Sequence, residues 1–215
     1  MRKFVFGNIY FFFAFILFVN IAFCQTLKDK EIDSLYSYIS KYQKKNINPF
    51  IYVDIKKQKM FLIDDKKVIN EYMVSTGING SRFGAVAGSN QTPLGLFKID
   101  SKIGDGAKIG EIFRGKRSMQ KSAKIYKKGD NYPKDIKDEI LTRVLVLDGM
   151  EKGINKGRDK NNKLVDAYFR GILIHGTNNE SGIGKEISHG CIRMLNEDVI
   201  KLYDLVKKGT LVLIK

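Results

Sequence analysis

Only two of the 215 residues are cysteine and only two are histidine. Two cysteines exclude a disulfide-stapled scaffold. Glycine without a three-residue period excludes a collagen-like chain, and the lack of sustained heptads excludes a long coiled coil. Internal repeats, low-complexity tracts and a Ser/Gly linker to a second module are missing too, so the length fits one ordinary domain with an appendage. Acidic residues are also in short supply, with 23 Asp and Glu against 38 Lys and Arg and a formal charge of +15. A charge that far from zero predicts attraction to polyanions, and it is equally compatible with a solvated basic surface.

Phenylalanine is abundant in one place. Eight of the 14 Phe lie in the first 24 residues, where Met1-Arg2-Lys3 precedes an uncharged run from Phe4 to Phe23. The run ends in Ala22-Phe23-Cys24, with small residues at both positions that a signal peptidase reads, which predicts an export signal over residues 1–24. An uncleaved anchor is the rival reading, since roughly 20 apolar residues span a bilayer. A lipoprotein cut before Cys24 is disfavoured by bulky Phe23. Either way the remainder is expected to be exported, to the periplasm or cell envelope, with membrane contact only through that first segment. Anionic cell-envelope polymers are therefore the expected polyanion, and no nucleic acid.

Without residues 1–24 the chain has 215 − 24 = 191 residues and a charge of (38 − 2) − 23 = +13. One cysteine is left, Cys191. A lone thiol in an oxidising compartment is either a buried small hydrophobe or a working nucleophile.

Leu27, Ile32, Leu35, Tyr36, Ile39 and Tyr42 recur at near-helical spacing, so residues 25–49 read as a helical lead-in stopped by Asn48-Pro49. From Phe50 the period becomes two: Ile51, Val53 and Ile55 alternate with Tyr52, Asp54 and Lys56. Met60–Ile63 and Val68–Val74 follow as antiparallel strands. Further strands are expected at Thr92–Ile99, Arg143–Leu147, Gly171–Ile174 and Leu211–Ile214. Residues 101–140 lack alternation and read as a long insertion with short helices over a groove. Asn196-Glu197-Asp198 reads as a capped helix start, with a stop near Gly209. The expected fold is mainly β and sandwich-like, with a few helices.

Both histidines and the lone mature cysteine fall within seventeen residues, from His175-Gly176-Thr177 to Ser188-His189-Gly190-Cys191-Ile192-Arg193-Met194. A thiol attacks a carbonyl as thiolate, and a neighbouring imidazole takes its proton. Gly190 beside the nucleophile lets backbone N–H groups reach a developing oxyanion, and Arg193 offers a fixed charge for a carboxylate. Singly, each has an ordinary structural role: Cys191 as packing, His175 at a strand end, Ser188 and Gly190 in a turn, Arg193 in a surface pair. Their coincidence in one window favours chemistry. Zinc is the rival, but no Asp, Glu or further His lies close enough in the sequence to complete a recognisable ligand set, so no metal is expected.

The motif His175-Gly176-Thr177 with Ser188-His189-Gly190-Cys191-Ile192-Arg193-Met194 resembles the signature of the L,D-transpeptidases, cysteine enzymes that remodel peptidoglycan. Thr92-Pro93-Leu94-Gly95 is similar to that family's strand-opening motif, and the resemblance covers residues 50–215. It implies a catalytic domain with Cys191 as nucleophile and His175 as general base and acid. Gly176 would orient the imidazole. His189, Gly190 and Cys191 would offer oxyanion N–H groups, with Ser188 in loop support and Arg193 on the substrate. It further implies no cofactor, peptidoglycan stem peptides as substrate, and transfer to an amine acceptor after release of D-Ala. An L,D-carboxypeptidase using water, or a non-catalytic basic envelope-binding protein, are the alternatives.

Overall fold

A computed structural model describes residues 27–115 and 117–215, so the expected export segment lies outside the described residues. The chain begins with α1 (Asp29–Ser40), followed by the antiparallel strands β1 (Phe50–Asp54), β2 (Lys59–Asp64) and β3 (Lys67–Gly77). Two short strands, β4 (Ser81–Arg82) and β5 (Thr92–Pro93), pair with each other and lead into β6 (Gly95–Ile103). A hairpin of β7 (Glu111–Arg114) and β8 (Arg117–Ser122) precedes β9 (Ile140–Gly149). The rest is α2 (Ala167–Arg170), β10 (Leu173–Thr177), β11 (Glu186–Ser188), β12 (Ile192–Met194), α3 (Asn196–Leu205) and β13 (Leu211–Ile214).

The strands run in the order β10-β12-β3-β2-β1-β13-β6-β9, and β9 pairs again with β10. The mainly β expectation holds, and the two layers of the sandwich are parts of one sheet that returns on itself. Strand alternation sorts its side chains. Ile51, Val53, Val212 and Ile214 join the enclosed core, together with Val199 and Leu202 of α3. Their neighbours Phe50, Tyr52, Leu211 and Leu213 face the other way and meet Ile32, Leu35 and Ile39 of α1. Each of those three helix residues is at most 4% exposed, and burial of such a side chain contributes about 1.5–3 kcal/mol.

Three local expectations are corrected. The described residues of 101–140 hold no short helices; they continue β6 to Ile103 and form the β7–β8 hairpin, which pairs with β9 at Ile112 and Phe113. Asn196 does not cap α3 with its side chain. The buried amide bridges Thr177 and Glu180 instead, and it is Glu180 Oε1 that receives the Asn196 N–H at 2.8 Å. α3 also ends at Leu205, before the turn in which Thr210 N–H meets Lys207 C=O and Gly209 takes φ +89°.

Candidate active site

β10 lies between β12 and β9, with His175 opposite Arg193 on one side and Val144 on the other. Ile174, Ile192 and Met194 face the enclosed core, so by alternation His175 and Arg193 share the opposite face. Leu173 is on that face too, where Cys191 packs against the cluster of Phe113, Val144, Val146 and Leu173. Across from His175 and Gly176 the register of β9 slips from Val144 to Leu141. The extra residues form a bulge in which Thr142 holds φ +70°, a device that re-aims side chains beside functional sites. Thr142 Oγ1 donates to Asn196 Oδ1 at 2.5 Å and accepts the Gly110 N–H at 2.9 Å. Gly176 has to be glycine here: a Cβ would lie 2.4 Å from Asn196 Oδ1 and 2.9 Å from the Leu141 carbonyl oxygen.

The loop carrying Cys191 is pinned by side-chain hydroxyls. Ser188, fully buried, accepts the Gly190 N–H at 3.0 Å and donates to the Cys191 carbonyl at 2.6 Å. Thr92 Oγ1 donates to the Gly190 carbonyl at 3.0 Å and accepts the Gly77 N–H at 2.8 Å. The first residue of the Thr92-Pro93-Leu94-Gly95 motif thus ties the nucleophile loop to the end of β3. Gly190 takes φ +119°, a conformation L side chains rarely adopt. Its N–H, expected to face an oxyanion, is committed to Ser188, so its part here is loop support. His189 is exposed on the same loop.

Cys191 is partly exposed, and its Sγ donates to the Gly171 carbonyl at 3.3 Å. Gly171 sits at the α2–β10 turn, where Asp166 Oδ1 caps α2 by accepting the Tyr168 and Phe169 N–H groups. Burial pushes the thiol pKa up; the Leu173 N–H, Arg193 and Arg170 oppose that rise, and Asp138 adds to it. His175 is 2% exposed and its Nδ1 lies 2.7 Å from the Gly176 carbonyl oxygen. With Nδ1–H donating there, Nε2 is the basic nitrogen. Burial, opposed by Asp138 and the Gly176 bond and assisted by Arg193, brings the imidazole pKa down to about 4. At neutral pH both groups rest uncharged.

Arg193 is 3% exposed. Its guanidinium pairs with Asp138 Oδ2 at 2.6 Å and donates to the Ile187 carbonyl at 3.2 Å, while Nε has no partner among the described residues. Expected on the substrate, it is instead engaged with protein groups behind the site. Asp138, from the long insertion, also accepts the Thr177 hydroxyl at 2.6 Å. Sequence reasoning missed Asp138 and Arg170, and gave Thr177 no role beyond its place in the motif. Arg170 donates to the Ala85 and Gln91 carbonyls at 2.6 and 3.0 Å, is half-buried, and feels the Cys191 charge. No spacing rule marks an insertion Asp; the only cue for Arg170 is its place just before the glycine that opens the His175 strand.

Gly115, Ile140, Val146, Tyr168, Gly171 and Leu173 line a largely apolar cavity of about 280 Å³, with Gly115 and Ile140 supplied by the insertion and Gly171 the residue whose carbonyl meets the thiol. Among the described residues no three His, Cys, Asp or Glu side chains gather as metal ligands. The arrangement offers a thiol, a neutral imidazole with an oriented ring, and an adjacent cavity. Those are the parts that acyl transfer through a thioester needs.

Residues 48–214 match the family model described as YkuD, the L,D-transpeptidase catalytic domain. The "Putative L,D-transpeptidase YkuD" of Bacillus subtilis is 61% identical over 41 residues, which is 19% of this chain and 25% of that protein. The "Probable L,D-transpeptidase YbiS" of Escherichia coli is 54% identical over 37 residues, 17% of this chain and 12% of that protein. In these alignments the chain spans a quarter or less of its curated relatives. A solved L,D-transpeptidase from Mycobacterium smegmatis aligns with TM-score 0.44 and 16% identity, over 78% of this chain and 58% of that one. One from Xylanimonas cellulosilytica aligns with TM-score 0.44 and 17% identity, over 81% and 63%. With most of its length matched by the family model, the chain belongs to the L,D-transpeptidase catalytic domain family.

Proposed function

We propose that this protein is a cysteine acyltransferase of the cell envelope, acting on peptidoglycan stem peptides as an L,D-transpeptidase. The observation that carries the reading is the placement of Cys191 beside the His175 strand: Cys191 packs against the cluster that holds Leu173, two residues before His175 on the same face, and it immediately precedes β12, whose Arg193 lies opposite His175. Cys191 Sγ attacks the carbonyl of the third stem residue as its proton passes to His175 Nε2. The tetrahedral intermediate collapses, the C–N bond to the terminal D-Ala breaks, and His175 returns the proton to the leaving amine. An amine of a second stem then attacks the thioester, gives its proton to His175, and releases the thiol. No cofactor takes part.

Gly176 holds the imidazole in the tautomer this sequence requires. Ser188 and Gly190 fix the loop, and the N–H groups of His189 and Cys191 serve as oxyanion donors. Arg193 and Asp138 hold the site from behind rather than touching the stem. Residues 1–24 direct the chain out of the cytoplasm to the periplasm or envelope, where its basic surface meets anionic polymers. The test is to incubate the protein and its Cys191→Ala variant with a disaccharide tetrapeptide. Cross-linked dimer and free D-Ala, both absent with the variant, are expected. Tripeptide without dimer would make water the acceptor, and no D-Ala release would overturn the reading.

A further inference from the structure

The segment from Arg114 to Lys128 contains seven Lys or Arg and no Asp or Glu, more than half of the +13 that remains without residues 1–24. Its strand, β8, is exposed at all six residues and terminates the strand order next to β7. A strand with neither face buried has no packing reason to exist, since a lone hairpin is marginal in water. Part of the charge is answered internally. Arg114 pairs with Glu139 at 2.9 Å, and Lys124 lies 4.9 Å from the Tyr126 ring centroid. Arg117, Lys121, Lys127 and Lys128 are exposed and form no ion pair among the described residues.

The segment follows the catalytic site. At one end Gly115 lines the cavity with Gly171 and Leu173, the two residues whose backbone groups meet Cys191 Sγ. Near the other end Tyr126 N–H donates to the Asn178 carbonyl at 2.8 Å and Tyr126 C=O accepts the Ser181 N–H at 2.9 Å, just beyond Thr177 of the His175 strand. Unanswered cations therefore run from the flank of the thiol to the end of the strand that carries the base. A row of one sign raises the local concentration of a polyanion, and exposed contacts of this kind are screened within about 8 Å at physiological salt.

We propose that residues 114–128 are a docking surface for the carboxylate-bearing peptidoglycan strand, holding the polymer beside Cys191 without a part in the chemistry on a small soluble stem. This rests on the acyl-transfer reading above. Carboxylate polymer is favoured over a phosphate polymer because the surface borders the thiol, whose substrate is the stem itself.

The test uses Arg117→Gln, Lys121→Gln, Lys127→Gln and Lys128→Gln together. A control of equal charge carries Lys44→Gln, Lys45→Gln, Lys207→Gln and Lys208→Gln, all at exposed positions away from the hairpin. Co-sedimentation with sacculi stripped of phosphate polymers should fall about tenfold at low salt for the hairpin variant and less than about twofold for the control. D-Ala release from soluble disaccharide tetrapeptide should stay within about twofold of the wild type, since the changed side chains are exposed and outside the site. Unchanged sedimentation, equal loss in both variants, or wild-type binding only to walls that retain phosphate polymer would overturn the proposal. A wild type that releases no D-Ala from the soluble stem counts instead against the acyl-transfer reading, while sedimentation still judges the surface.

Discussion

α1 and the insertion 101–140 both cover strands of the same sheet, but they hold to it by different means. α1 lays Ile32, Leu35 and Ile39 on Phe50, Tyr52, Leu211 and Leu213, with a cavity at its edge lined by Glu31, Ser34, Leu35 and Tyr52. The insertion is tied at its end by polar bonds: Asp138 to Thr177 and Arg193, Glu139 N–H to Asn178, and Asn178 to the Lys137 carbonyl. Beside this cover Gly115 and Ile140 line a cavity with Leu173 and Gly171, and the Gly171 carbonyl accepts the Cys191 thiol. Apolar burial dominates at α1, while the insertion adds a polar clasp beside the catalytic strand to the apolar seat of Phe113.

The largest expected effect is on the polar face. His175→Gln should lower the rate of D-Ala release about 10²–10⁴-fold at pH 7, the usual range for a lost general base. The same variant reports on stability. The buried imidazole resists protonation until about pH 4, whereas an unfolded histidine binds a proton near 6.5, so wild-type stability should fall as pH drops from about 6.5 to about 4. Above that window the histidine contributes no pH dependence. Denaturant titrations across the window should show a shallower fall for His175→Gln; an equal fall would mean the imidazole is not buried neutral.

Asp138→Ala leaves the Arg193 guanidinium buried without its ion partner, which costs about 3–5 kcal/mol, and it should lower activity as well. Leu35→Ala, in the opposite cover, should cost a comparable or smaller 2–5 kcal/mol while leaving kcat/KM of the folded protein unchanged. Measured together, this pair separates the two covers; equal activity loss in both would erase the distinction. The smallest effect is expected for Thr92→Val. It strands the Gly77 N–H and Gly190 carbonyl, and the cost is about 1–3 kcal/mol of stability. Because Gly190 adjoins the nucleophile, the loss should also appear in the rate of acyl-enzyme formation.

The same contrast explains how much was legible in the sequence. Periodicity of two and of 3.6 reads burial, so β1 to β3, β13 and the apolar stripe of α1 were visible in the order of residues. The clustering of His175, His189 and Cys191 was visible because those residue types are rare in this chain. The β7–β8 hairpin was not, because β8 buries nothing and so shows no alternation. Asp138 was hidden for a related reason: its partners Thr177 and Arg193 lie 39 and 55 positions away, and only the fold brings them together. Asn196 looked like a helix cap because Asn before two acids usually is one. Here a buried bridge to Thr177 and Glu180 claims the side chain instead.

The central claim is that acyl transfer runs through the Cys191 thioester. Acid-quenched intact-mass measurement of the protein with disaccharide tetrapeptide tests it most directly. The account predicts an adduct with the mass of the disaccharide tripeptide acyl group, localised to Cys191 by peptide mapping and absent from Cys191→Ala. An adduct that retains the terminal D-Ala, one carried by another residue, or turnover by Cys191→Ala would contradict it.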